Sequence, residues 1–268
     1  MNTPNTTSQI AFGILLLIGS ILLPYVIKNI RKESHLAPHK TERLQHRAWS
    51  NRPLLNLLIT WISLYLLAAT SGSFFYEDQL PTVRLIFTYL IYILIGAQII
   101  HHQRTHSPTH PLGLTQKQLP QLRWALPLYL AFLPLLSLIA LLNQLILSQL
   151  LHIETEHQLI TQQMTQLHNP LHQLYILTSI LIAPLYEEIL FRGILFPKLI
   201  QKAGLTNALI ITSLLFAGLH FHLPALLPLF SLSMLLSLVY WWSGSLWNCI
   251  AIHILFNAGS IALLLANN

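Results

Sequence analysis

Glu187 and Glu188 stand side by side, with Arg192 four residues on, inside an apolar run from Leu174 to Leu199. An ionisable group at membrane depth costs roughly 2.5–3.5 kcal/mol on insertion scales. The chain has 14 basic and 8 acidic side chains, and these three are the ones that lie well inside an apolar segment. Two more pairs follow at helical i, i+4 spacing, Phe216 with His220 and His253 with Asn257. A partly desolvated carboxylate, two imidazoles and a carboxamide suit hydrolysis by water: a base deprotonates the water, and hydrogen-bond donors receive the oxyanion. No serine, threonine or cysteine stands with a base at a nucleophile motif, which favours attack by water.

Helical spacing divides the roles. Glu188 and Arg192 share a face and pair with each other, while Glu187 is turned about 100° away and is left free as the base. His220 would help position the water, and His253 with Asn257 would stabilise the oxyanion. A histidine at a span's end is by itself more commonly a packing group. Depth argues otherwise: at about 1.5 Å per residue, Glu187 is about 16 Å from Lys198 and His220 about 20 Å from Asn207. On the same scale His253 and Asn257 are about 13 and 19 Å from Gly244. Four polar groups on three helices thus come to similar depth.

The elements that hold them must be membrane helices. At 54% hydrophobic and 8% charged over 268 residues, the chain falls far below the roughly 25% charged residues of soluble domains. Apolar windows near 10–28, 54–70, 83–100, 124–151, 171–198, 206–221, 224–242 and 246–265 predict an all-α polytopic bundle of about eight transmembrane helices. The sixth and seventh form a hairpin around Phe221, His222 and Leu223. Residues 1–123 are expected to hold the N-terminal spans and basic loops, and 124–268 the catalytic bundle, within one membrane domain. The N-terminus lacks the basic region of a cleaved signal, so the first span is expected to stay.

Lys28, Arg31, Lys32, Lys40, Arg43, Arg47 and Arg52 oppose only Glu33 and Glu42 in the first loop, which the positive-inside rule makes cytoplasmic. Glu77 and Asp78, Arg104 to Arg123, Glu154 and Glu156, then Lys198 and Lys202 alternate in side as eight spans require. The net charge of +6 is therefore loop bias, with attraction to anionic lipid. It argues against a nucleic-acid partner, because the cations are divided among loops.

Other groups read as structural. Trp49, Trp61, Tyr65 and Tyr76 fall near interfaces, where aromatic rings anchor. His101, His102, His106 and His110 are expected in a solvated loop, without the carboxylate or thiol of a metal site. The His152–Asn169 stretch lacks the His-Glu-x-x-His order and is expected to be an external helix or loop. Asn143 and Gln144 suit packing between helices, and the single Cys249 is a small packing residue. No pair of matched broken helices suggests a transporter. Pro184, three residues before Glu187, is expected to bend its helix and open space beside the carboxylates.

Glu187-Glu188-x-x-x-Arg192, Phe216-x-x-x-His220 and His253-x-x-x-Asn257 resemble, in order, the three motifs of the CPBP intramembrane proteases, which include the CAAX prenyl endopeptidases and bacteriocin-processing proteins. The resemblance covers about residues 171–260. It implies Glu187 and His220 as water activators, His253 and Asn257 as oxyanion stabilisers, and Glu188, Arg192 and Phe216 as supporting residues. It implies a peptide or protein substrate at the bilayer, lipidated or a small secreted peptide. The family is often labelled metalloprotease, and Glu187, His220 and His253 would make a zinc set with an open position; a glutamate-activated water without obligatory metal is the favoured expectation. A non-catalytic membrane interaction or immunity protein of the same fold is the alternative. The compact chain and the lack of a retention signal point to a prokaryotic plasma membrane.

Overall fold

The computed structural model describes residues 6–32, 37–71, 80–106, 112–152 and 170–266. Every regular element among them is helical: α1 (Thr6–Lys32), α2 (Ala37–Gln45), α3 (Asn51–Ser71), α4 (Leu80–His106), a 3-10 segment (Gln116–Trp124) running into α5 (Ala125–Leu145), α6 (Pro170–Leu177), α7 (Ala183–Glu188), α8 (Phe196–Gly218), α9 (Leu226–Ser243) and α10 (Leu246–Ala266). Six helices among the described residues are long and apolar enough to cross a membrane. One of them runs from Gln173 to Gly218 and contains a break at Gly204, whose φ of 78° and ψ of 172° are not helical. The glycine lets one long rod become two arms, 170–203 and 205–218, matching the expected fifth and sixth spans. With the 21-residue α3, the bundle agrees with the polytopic all-α expectation.

The outward faces suit lipid. Ile10, Leu17 and Ile21 on α1, Leu55, Ile59, Ile62 and Leu66 on α3, and Ile86, Ile93 and Ile100 on α4 are all exposed. Helices satisfy their own backbone groups, so such faces can sit in hydrocarbon without stranded polar atoms. The interior lies between α5, α8, α9 and α10, where Leu128, Leu232, Leu236, Tyr240, Leu246 and Ile252 are fully buried.

Loop ends sort to two poles. Arg47 Nη1 donates to Tyr240 Oη at 2.9 Å and to the Gly244 carbonyl at 2.8 Å, and Gln118 Nε2 donates to the same carbonyl at 3.1 Å. Leu246 N–H reaches Gly113 O at 3.0 Å. Gly244 ends α9 in the left-handed region at φ 68°, where an added Cβ would stand 2.5 Å from Arg43 Cζ. The loops after the first, third and seventh spans, which strict alternation puts on one side, therefore meet. At the opposite pole Asn143 Nδ2 donates to Pro224 O at 2.7 Å.

Several expectations change. His101 and His102 are not in a loop: α4 extends through His106. His102 is buried, its ring 3.8 Å from that of Trp49, and Trp49 is accordingly a core residue rather than an interfacial anchor. His110, Tyr76 and almost all of the His152–Asn169 stretch lie outside the described residues, as does the side chain of Tyr65.

Candidate active site

The helix carrying Glu187 is widened twice. Thr178–Ile182 and Ile189–Leu195 are π-helical, flanking the single regular turn Ala183–Glu188. Pro184 has no N–H and its ring crowds the preceding turn, and the wide turn just before it accommodates both effects. The helix thus changes its winding where Pro184 is expected to bend it. Such turns recur at functional sites because they alter which side chains share a face.

On the inner side the polar groups bond to one another. Arg192 Nη1 donates to Glu188 Oε1 at 2.9 Å, with both side chains fully buried; the pairing expected from their spacing is present. Arg192 Nη2 donates to Ser233 Oγ at 2.8 Å and to Ser233 O at 3.1 Å. His253 Nδ1 lies 2.9 Å from the same Glu188 Oε1. A carboxylate ion-paired to Arg192 can only accept there, so the proton of the imidazole sits on Nδ1. Burial of an ion pair is costly unless its geometry and remaining hydrogen bonds are good, and this chain of contacts crosses from α9 through the Glu188 helix to α10. Glu188 Oε2 and Arg192 Nε have no hydrogen-bond partner among the described residues.

Glu187 differs. Its side chain is 28% exposed, and its ionic neighbour is His253 Nε2, 3.8 Å from Oε2. It opens on a cavity of about 260 Å³ whose lining includes Trp61, Tyr92, Tyr186 and His220. Tyr92 and Tyr186 stack with centroids 4.4 Å apart. Glu187 and His220 therefore share one space, as similar depth predicted. His220 stands in the turn after α8, with Nδ1 2.7 Å from Phe216 O. A carbonyl only accepts, so Nδ1 carries a proton, and in the neutral ring Nε2 has the lone pair.

Phe216 explains the spacing of its motif. Its carbonyl orients His220, and its fully buried ring lies 4.9 Å from the His220 ring, 5.7 Å from the His253 ring and 4.7 Å from the Arg192 guanidinium. The ring touches both imidazoles and is a cation–π partner for the arginine.

His253 and Asn257 do not line the cavity. His253 is buried, and Asn257 Nδ2 donates to Ser179 O at 2.9 Å across to the first wide turn. That bond occupies one of two N–H groups and ties α10 to the Glu187 helix. Glu187, His220 and His253 are the candidate zinc ligands. No group of three His, Cys, Asp or Glu among the described residues is disposed to hold a metal ion. The donor set does not fit a metal in this arrangement.

Spacing alone missed four contributors. Ser233 has no motif around it. Tyr92 and Tyr186 look like ordinary apolar-span tyrosines, although Tyr186 directly precedes Glu187. Trp61 reads as an interfacial anchor, yet it lines the cavity. It also borders an apolar cleft of about 250 Å³ lined by Leu58, Ile62, Ile194 and Leu215 that shares Leu190, Phe191 and Leu219 with the polar cavity.

The fold and these contacts define a multi-pass integral membrane protein with an acid–base cluster inside its helix bundle. Residues 169–259 match the family model described as type II CAAX prenyl endopeptidase Rce1-like, so the resemblance carried by the three motifs holds over the segment that contains them. That family supports an intramembrane protease in general, acting on peptide at the membrane. No curated protein and no solved structure searched gave a match.

Proposed function

We propose that the chain is an intramembrane endopeptidase in which Glu187 activates a water for attack on a peptide carbonyl. The observation that carries the reading is the contrast between two adjacent carboxylates: Glu188 is sealed by Arg192 and His253, while Glu187 faces a cavity together with the lone pair of His220. In that cavity Glu187 takes one proton of the water, and His220 Nε2 accepts a hydrogen bond from it and holds it in place. The hydroxide oxygen bonds to the carbonyl carbon as the carbonyl electron pair moves onto oxygen. When the C–N bond breaks, Glu187 returns its proton to the leaving amine.

For the oxyanion, the second Nδ2–H of Asn257 would have to turn toward the cavity, which its side chain does not line. His253, with its Nδ1–H held by Glu188, donates from Nε2 only when the ring carries both protons. Glu188, Arg192 and Phe216 act by positioning. The apolar cleft beside Trp61 suits a substrate with an apolar or lipidated segment, its scissile bond reaching Glu187. No step is routed through a metal, so peptidase activity should survive a chelator; loss on chelation and return with zinc would reassign Glu187 and the histidines.

The test compares secreted and membrane peptides from cells expressing the protein or its Glu187→Gln variant at equal levels. Peptides that accumulate uncut only with Glu187→Gln are expected. Identical peptide profiles would overturn the protease reading in favour of an interaction protein.

A further inference from the structure

A second cavity, of about 490 Å³, opens at the pole where the basic loops meet, lined by His39, Lys40, Arg43, Arg123, Trp124 and Trp242 among others. None of its lining side chains is acidic. Arg43 and Arg47 are held there by neutral oxygens: Arg43 Nη2 donates to Trp241 O at 3.0 Å, and Arg47 to Tyr240 Oη and Gly244 O. These bonds orient the guanidinium groups without neutralising them. Burial, and then the like charge of Arg47, lower the basicity of Arg43. Glu42, on the same helix, is exposed and lies 3.8 Å from His46.

Two donors in this cavity have no acceptor. Arg43 Nε and Trp242 Nε1 are buried without a hydrogen-bond partner among the described residues, and Trp242 is only 6% exposed. Both groups can only donate, and a buried donor left unpaired is costly. At the rim Arg123 is exposed, its guanidinium 6.0 Å from the Trp124 ring, and Trp124 meets Trp242 edge-on at 5.8 Å. Convergent cations, unpaired donors and paired indoles are complementary to an oxyanion attached to an amphipathic body. Charge bias makes this pole the cytoplasmic one, where anionic lipid gathers.

We infer that this cavity binds the phosphate of an anionic glycerophospholipid headgroup. Arg43 and Arg123 supply the charge, Trp242 Nε1 supplies a neutral donor, and the indoles lie against the glycerol region. The same phosphate chemistry is offered by the free ion, and the experiment separates the two sources.

Purified full-length protein in neutral detergent is given phosphatidylglycerol, phosphatidylcholine or inorganic phosphate. Retained lipid is read by native mass spectrometry and stability by thermal unfolding. The protein should retain phosphatidylglycerol and not phosphatidylcholine. Arg123→Gln at the exposed rim and Trp242→Phe, which removes the N–H and keeps a ring, should each weaken retention about tenfold. Arg84→Gln, a cation on a different helix end, should leave it unchanged. Stabilisation by inorganic phosphate that Trp242→Phe abolishes, without lipid retention, would support the phosphate site and assign it to the free ion. Equal retention of both lipids, equal retention by all variants, or no effect of either phosphate source would overturn the proposal.

Discussion

The inner side of the site is built from charged and polar groups bonded to one another, and the cavity side from groups that face open space. Glu188, Arg192, Ser233 and the Nδ1 of His253 form one continuous dry network. One residue away, Glu187 and the Nε2 of His220 face open space. Neighbouring carboxylates on one helical turn thus differ in kind. In a low-dielectric interior a saturated charge is a fixed piece of structure, and an unsaturated one beside a cavity is chemically available.

Exchanging a group on either side should expose that division. Glu187→Gln is expected to lower the peptidase rate most, by roughly 10²–10⁴-fold, with the unfolding temperature unchanged; proteoliposome assays and thermal unfolding measure the two. Arg192→Met should act on stability, because it leaves the Glu188 charge buried and unpaired, a loss of about 3–5 kcal/mol. Adding Glu188→Gln to that variant should recover much of the stability and none of the activity, since His253 then loses its ionic anchor. A recovered rate in the double variant would show that the dry network does not position the site.

His220→Ala should lower the rate by roughly 10²-fold with little effect on unfolding, because the side chain stands in an exposed turn. A large loss of stability would move His220 to the structural side. Ser233→Ala is the mildest change: it removes one of two bonds to Arg192 Nη2 and should cost about 1 kcal/mol, with the residual rate following the stability of the pair.

Local periodicity made much of this legible. The pairing of Glu188 with Arg192 needs only a helix, and the meeting of the basic loops needs only alternation. The contacts that refine the site join distant parts of the chain. His253 finds Glu188 across 65 residues, Asn257 finds Ser179 across 78, and the Trp61 side of the cavity depends on how α3 packs. Helical spacing places such residues at a depth; it does not say which of them turns toward the cavity. For that reason His253 and Asn257 look alike in the sequence as oxyanion donors, while the structure gives each a further, orienting bond.

The wide turn Ile189–Leu195 makes the site sensitive to counting as well as to chemistry. A regular helix advances roughly 100° per residue, and this turn absorbs one residue more than a regular turn holds. Deleting Gly193, where an added Cβ would stand 3.1 Å from Leu246 Cδ1, would let the segment close as an ordinary helix. Because the wide turn already absorbs that extra residue, everything from Ile194 onward would keep close to its present phase with Glu187, whereas deleting Leu199 from the regular helix that follows would rotate what lies beyond it by about 100°. The Leu199 deletion removes no polar group, yet it would deliver Phe216 and His220 to a different azimuth. In this region the number of residues is itself a functional variable.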